Sequence, residues 1–203
     1  MIATCRLDDL DEIVARLMRG EVLAVPTDTV YGVAARFSDP TAVARLFDLK
    51  GRPRTTALPV MIGDLDQLSI LGVEWNDAAA TLAGSLWPGP LTIVTRAHDE
   101  SARRAGSTTG TLGVRMPLDH DLLAVLEATG PLAVTSANAH GEPACHDAAE
   151  VQAAFAGSAD LDAVVDGGRR DGAVSTVVDV SSTPWRTLRN GAVSDDALRA
   201  LLG

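Results

Sequence analysis

The stretch "DPTAVARLFDLKGRPRTTALPVMIG", residues 39–63, holds a helix, a basic turn and a strand in immediate succession. Asp39 is suited to cap a helix N-terminus, Pro40 to occupy its first position, and Gly51 to stop it, so the spacing predicts a helix between them. "ALPVMIG", residues 57–63, then reads as a strand. Helix passing directly into strand places the chain among α/β proteins, and the flanks repeat the alternation. On the N-terminal side, "LDDLDEIVARLMRG" (7–20) has apolar residues at helical spacing and "EVLAVPTDT" (21–29) is an apolar strand entering a polar turn.

On the C-terminal side, helices are expected over "DLDQLSIL" (64–71), "NDAAATLAGSLW" (76–87), "DHDLLAVLEATG" (119–130), "DAAEVQAAFAG" (147–157) and "SDDALRALLG" (194–203). Strands are expected over "GPLTIVTRA" (89–97), "TLGVRMP" (111–117), "PLAVTSANAHGEPA" (131–144, entering a loop), "AVVDGG" (163–168), "STVVDV" (175–180) and "WRTLRNG" (185–191). The irregular alternation favours a mixed sheet over a strictly parallel one. "AHDESARRAGSTTG" (97–110), rich in small and charged residues, reads as the loosest segment. With no internal repeat and no linker composition, residues 1–203 are expected to form a single domain.

The 203 residues carry a formal net charge of -10, with 46% hydrophobic and 22% charged residues. An acidic chain is poorly suited to holding a nucleic-acid duplex, so tight nucleic-acid binding by this chain alone is not expected. A small local basic pocket would instead suit a compact anion. No apolar run approaches a membrane span, and the N-terminus lacks the basic and apolar regions of a secretory signal, so a cytoplasmic protein is expected. Cys5 and Cys145 lack paired metal or redox spacing and read as buried thiols. His98, His120, His140 and His146 fit no metal-ligand motif, so no metal site is assigned. Trp75, Trp87 and Trp185 read as packing residues.

Lys50 is the sole lysine, every other basic residue among the seventeen being arginine. With no glycine-rich phosphate loop in the chain, side chains must cradle any nucleotide phosphate. Lys50, Arg52 and Arg54 supply an ammonium and two planar guanidinium forks for that task, although a solvated basic turn has the same composition. Thr27, Asp28 and Thr29 place hydroxyls and a carboxylate at a strand end, where turn capping is an equal explanation. Thr135, Ser136 and Asn138 follow "PLAV"; without a nucleophile-elbow pattern or an evident histidine base, Ser136 reads as a hydrogen-bonding residue. Arg115 lies in the otherwise apolar "GVRMP" and requires an anionic partner, either a structural carboxylate or a ligand.

Taken in order, "PTDTVYGVAA", "AVARLFDLKGRP", "SLWPGPLTIV", "GVRMP", "AVTSAN", "VVDGGRRDGAVSTVVDV" and "LRNGAVS" resemble the YrdC family, the threonylcarbamoyl-AMP synthases that begin threonylcarbamoyladenosine modification of tRNA. The resemblance implies a twisted mixed β-sheet flanked by helices with a concave basic cavity. It implies a nucleotidyltransferase that joins L-threonine, bicarbonate and ATP into threonylcarbamoyl-AMP and pyrophosphate, with magnesium assisting. By the same resemblance Lys50 and Arg52 are catalytic; Lys50, Arg52, Arg54, Ser136, Asn138 and Arg189 bind ATP; and Thr27, Arg115, Thr135 and Ser175 bind L-threonine. The product would pass to the tRNA threonylcarbamoyl-transfer machinery. Two departures stand out: His140 replaces the family's serine after the Ser-Ala-Asn motif, and Ala57 precedes Leu58 where proline is usual. The chain is similar to the short form without a further C-terminal domain. Alternative readings are a relative with another carbamoyl or adenylyl acceptor, and a non-catalytic nucleotide- or RNA-binding module.

Overall fold

The structure, a computed structural model, describes residues 2–139 and 141–203, so the His140 departure lies outside the described residues. In chain order the elements are β1 (Ala3–Arg6), α1 (Leu10–Met18), β2 (Leu23–Val25), β3 (Gly32–Arg36), α2 (Pro40–Lys50), β4 (Val60–Met61), α3 (Leu68–Leu71), α4 (Asp77–Leu86) and β5 (Leu91–Arg96). They continue with α5 (Asp99–Arg104), β6 (Thr111–Arg115), α6 (His120–Thr129), β7 (Leu132–Ser136), α7 (Ala148–Ala154), β8 (Ala163–Asp166), β9 (Thr176–Asp179), β10 (Arg186–Arg189) and α8 (Asp195–Leu202).

Helix α2 forms as its end residues dictate. The Asp39 carboxylate accepts from the Thr41 and Ala42 N–H groups, and Gly51 closes the helix in the left-handed region at φ 56°. Asp9, Asn76, Asp119, Asp147 and Ser194 cap α1, α4, α6, α7 and α8 in the same manner. Strands β1 and β3 were absent from the sequence reading: "ATCR" is short, and "GVAAR" has one strong strand former, Val33, among Gly, Ala and Arg. β3 is nonetheless paired on both edges, to β2 and β7, and its partners decide its conformation. The segment 97–110, expected to be loose, contains α5.

Among the described residues, all ten strands join one sheet in the order β1-β8-β2-β3-β7-β4-β6-β5-β9-β10. Its pairings mix parallel (β1–β8, β5–β9) with antiparallel (β3–β7, β5–β6), as the irregular alternation implied. Strand alternation sends Leu91, Ile93, Leu112, Val114 and Ala133 to one face, where α2, α4, α7 and α8 cover them. On the other face α1 and α6 cover Leu23, Ala34, Leu132 and Val134, burying Ile13, Leu17, Val125 and Leu126 against them. Each such fully buried side chain contributes about 1.5–3 kcal/mol. This second helical layer leaves the β6-β5-β9-β10 half of its face open, and the open half is the floor of a cavity. Cys5 and Cys145 are buried free thiols, and Trp75 packs on Trp87 with centroids 5.6 Å apart. Among the described residues no helix is long and apolar enough to cross a membrane.

Candidate active site

The cavity has a volume of about 790 Å³, a size that suits a small-molecule ligand. Its floor comes from alternate residues of neighbouring strands: Thr111, Gly113 and Arg115 of β6, Thr92 and Val94 of β5, and Ser175 and Val177 at β9. None of these except Arg115 and Ser175 was singled out in the sequence, although the period-2 alternation of "TLGVR" and "LTIV" marks the same residues as facing one way. Among the described residues three arginines, Arg52, Arg115 and Arg189, and one carboxylate, Glu142, line the cavity.

Arg115 is 3% exposed and answers its need for an anion first within the chain. Its Nη2 donates to Asp28 Oδ1 at 2.7 Å and its Nε to the Gly89 carbonyl at 3.0 Å. Burial lowers its pKa and the Asp28 carboxylate opposes that shift. Asp28 belongs to the turn after β2, in which Thr27 Oγ1 donates to the Val30 carbonyl at 2.7 Å and accepts from the Thr29 N–H at 3.1 Å. Tyr31 then anchors the turn: its hydroxyl donates to the Gly168 carbonyl and accepts from the Gly167 N–H, each at 3.0 Å.

Arg189, in β10, reaches across to the start of β9. Its Nε and Nη2 both donate to the Ser175 carbonyl, and Nη2 also to Ser175 Oγ at 2.8 Å. Partial desolvation lowers its pKa, and the charges of Arg115 and Arg52 lower it further, so each of these two repels Arg189 across the cavity. Such mutual repulsion is relieved by an anion placed among them. Arg52 Nη1 donates to Thr135 Oγ1 at 3.3 Å and Nη2 to the Ala57 carbonyl at 3.0 Å, while its Nε is buried without a hydrogen-bond partner among the described residues.

Lys50 and Arg54 are placed elsewhere. Neither is among the residues lining the cavity. Lys50, 4% exposed at the inner end of α2, donates from Nζ to the Ser136 carbonyl at 2.6 Å and to Asn138 Oδ1 at 2.7 Å. Burial, and then the Arg52 charge, push it from 10.5 to about 8. It therefore fixes the end of β7, while Ser136 Oγ donates to the same Asn138 oxygen at 2.6 Å. Asn138 Nδ2 completes the loop by donating to the Ala139 and Glu142 carbonyls. Arg54 turns back over α2: both carboxylate oxygens of exposed Asp48 accept from its Nη2 at 2.9 Å, and its guanidinium lies 5.9 Å from the Phe47 ring centroid. The structure thus brings together Thr27, Arg52, Arg115, Thr135, Ser136, Asn138, Ser175 and Arg189, places Lys50 behind them, and leaves Arg54 outside. Ser107 and Thr109, with Thr55 and Thr56, add further hydroxyls to the lining.

A mixed α/β protein, with guanidiniums and hydroxyls gathered in a cavity on the uncovered face of its sheet, is the class that this fold and site define. A family model named Sua5_yciO_yrdC, described as telomere recombination, matches residues 15–191. The chain belongs to the Sua5/YciO/YrdC family. It is 35% identical over 189 residues to the threonylcarbamoyl-AMP synthase of Pyrococcus abyssi, covering 92% of this chain and 55% of that protein. It is 34% identical over 192 residues to a putative threonylcarbamoyl-AMP synthase of Mycobacterium tuberculosis, covering 94% of this chain and 87% of that one. The crystal structure of P. abyssi Sua5 complexed with L-threonine superposes with a TM-score of 0.91 at 32% identity, over 100% of this chain and 61% of that one. The chain thus spans little more than half the length of its P. abyssi relative.

Proposed function

We propose that this chain is a nucleotidyltransferase that forms threonylcarbamoyl-AMP and pyrophosphate from L-threonine, bicarbonate and ATP. The observation that carries the reading is the convergence of Arg52, Arg115 and Arg189 with the hydroxyls of Thr27, Thr135 and Ser175 in one cavity. The reaction needs sites for one carboxylate and one polyphosphate, and guanidiniums bind both as planar forks. The names of the relatives and the L-threonine bound to P. abyssi Sua5 support the choice of substrates.

Arg115 would hold the amino acid's carboxylate, with Thr27, Thr135 and Ser175 as further hydrogen-bonding groups. Arg52 and Arg189 would face the phosphates, and the Ser136–Asn138 loop would receive the nucleoside. The threonine amine attacks the bicarbonate carbon, and loss of water leaves a carbamate. A carbamate oxygen then attacks the α-phosphate in line, the bond from Pα to the bridging oxygen breaks, and pyrophosphate leaves. Positioning and neutralisation of the developing phosphate charge account for most of such a transfer, so the fixed guanidiniums carry it.

Magnesium would enter with ATP and screen the phosphate oxygens. Among the described residues no three His, Cys, Asp or Glu side chains gather to hold a metal, and Glu142 is the one carboxylate on the walls, so this donor set suits an ion held chiefly by the nucleotide. The product would be consumed in the cytoplasm by the tRNA threonylcarbamoyl-transfer machinery. Incubating the protein with ATP, magnesium, bicarbonate and each amino acid in turn tests the reading. An adenylate of threonylcarbamate in the mass spectrum, with pyrophosphate released only alongside L-threonine, is expected. An adenylate with another amino acid would point to a different acceptor, and unaltered ATP throughout would leave a binding module.

A further inference from the structure

Arg115 has five N–H donors, and among the described residues three of them are engaged. Nε donates to the Gly89 carbonyl, Nη2 to Asp28 Oδ1 and, at a long 3.4 Å, Nη1 to Thr29 Oγ1. Two donors remain, the number a carboxylate takes from a guanidinium fork. The three internal bonds are unequal: the contact to Asp28 is the shortest and the one between opposite charges, with the two side chains 4% and 10% exposed. Asp28 is not itself among the residues lining the cavity. Its backbone is held in place, because the Thr27 hydroxyl closes the turn and Gly172 packs against it so tightly that a Cβ there would lie 2.6 Å from the Asp28 carbonyl oxygen.

We propose that Asp28 is a positioning residue for the amino-acid substrate, fixing the Arg115 guanidinium so that its two uncommitted N–H groups face the cavity. The inference rests on the reading of Arg115 as the carboxylate clamp. Two effects of the Asp28 carboxylate oppose each other. Its charge weakens the attraction of Arg115 for a second carboxylate, and its hydrogen bond aligns the donors that receive that carboxylate. Alignment dominates here, because a buried guanidinium deprived of its shortest partner turns to other acceptors and no longer presents a fork.

The test compares KM for L-threonine and for ATP in pyrophosphate release, together with L-threonine binding by calorimetry without ATP. Asp28→Ala is expected to raise the threonine KM and Kd roughly 10- to 100-fold, the loss associated with one charge-assisted hydrogen bond. Its ATP KM should stay within about twofold. Asp28→Asn keeps an acceptor oxygen but not the charge and should raise the threonine values only about three- to tenfold. A threonine KM that is unchanged or lower in either variant, or an ATP KM that rises in step, overturns the proposal. Where Asp28→Ala does not fold, Asp28→Asn decides by the same criteria. Failure of the wild-type protein to bind L-threonine or to release pyrophosphate overturns the functional reading and this inference with it, whereas a normal wild type beside unaffected variants overturns only the inference.

Discussion

Replacing Lys50 by methionine exchanges a buried ammonium for an apolar side chain of similar length and should produce a stability difference that changes with pH. The wild-type Lys50 is 4% exposed, and two acceptors at 2.6 and 2.7 Å from Nζ favour its charged form. Burial and the Arg52 charge favour the neutral amine and prevail, setting the folded-state pKa at about 8 against the ordinary 10.5. Below about pH 8 both the folded and the unfolded chain carry the proton, and the fold bears the whole cost of burying the charge. Between about 8 and 10.5 the unfolded chain binds the proton that the folded chain has released, so wild-type stability rises with pH. Above that window neither state is charged and the cost is gone. The full shift corresponds to about 3 kcal/mol, of which about 1.4 kcal/mol accrues between pH 7 and pH 9. Methionine has no such dependence, and it leaves the Ser136 carbonyl without its donor, a cost of about 1–3 kcal/mol at every pH. Urea unfolding of both proteins at pH 7, 8 and 9 measures the difference. The wild type should gain on Lys50→Met by about 1.4 kcal/mol across that range. A difference constant to within about 0.3 kcal/mol, or one that shrinks, would refute the argument that Lys50 is a charge held in a desolvated position.

Two further outcomes bear on the boundaries of the site. A Cβ on Gly113 would lie 3.2 Å from Thr92 Cγ2 and 3.5 Å from Val94 Cγ2, so Gly113→Val raises the cavity floor. Pyrophosphate release should fall at least about tenfold for a stability cost of about 1–3 kcal/mol, and unchanged turnover would show that ligands do not reach the floor. Arg54→Ala removes an ion pair whose side chains are 58% and 56% exposed. Stability should change by about 0–1 kcal/mol and turnover by less than about twofold, whereas a tenfold loss of turnover would return Arg54 to the nucleotide site.

Lys50, Arg52 and Arg54 show how closely spaced residues part company. As a sequence they form one basic cluster, and a cluster is what a phosphate loop would require. In the fold, the last turn of α2 aims Lys50 into the interior, and Gly51 reverses the chain in the left-handed region. Arg52 is then delivered to the cavity wall and Arg54 back onto Asp48 and Phe47. The spacing alone does not encode this divergence, because direction depends on where the helix docks. The pairing of Asp28 with Arg115 was equally hidden: Arg115 was visible as a residue needing an anion and Asp28 as a strand-end carboxylate, but 87 positions separate them in the chain.

By itself the sequence determined the α/β class, the capped helices with their Asp, Asn, Ser and Gly termini, and, of the residues that meet in the cavity, the polar stretches holding Thr27, Arg52, Arg115, Thr135, Ser136 and Asn138. These are local properties, decided by hydrogen bonding within a few residues and by the period of apolar positions. Only the tertiary structure decided that "GVAAR" is a central strand, that α5 interrupts the loop at 97–110, and that the β6-β5-β9-β10 half of one face stays bare. It also decided that Thr92, Thr111 and Gly113 line that bare face and that Lys50 stands behind it. The physical reason is common to all of these. A strand without strong propensity is held by its two neighbours, and a cavity exists where a covering helix is missing, so each depends on contacts between distant segments that no local pattern contains.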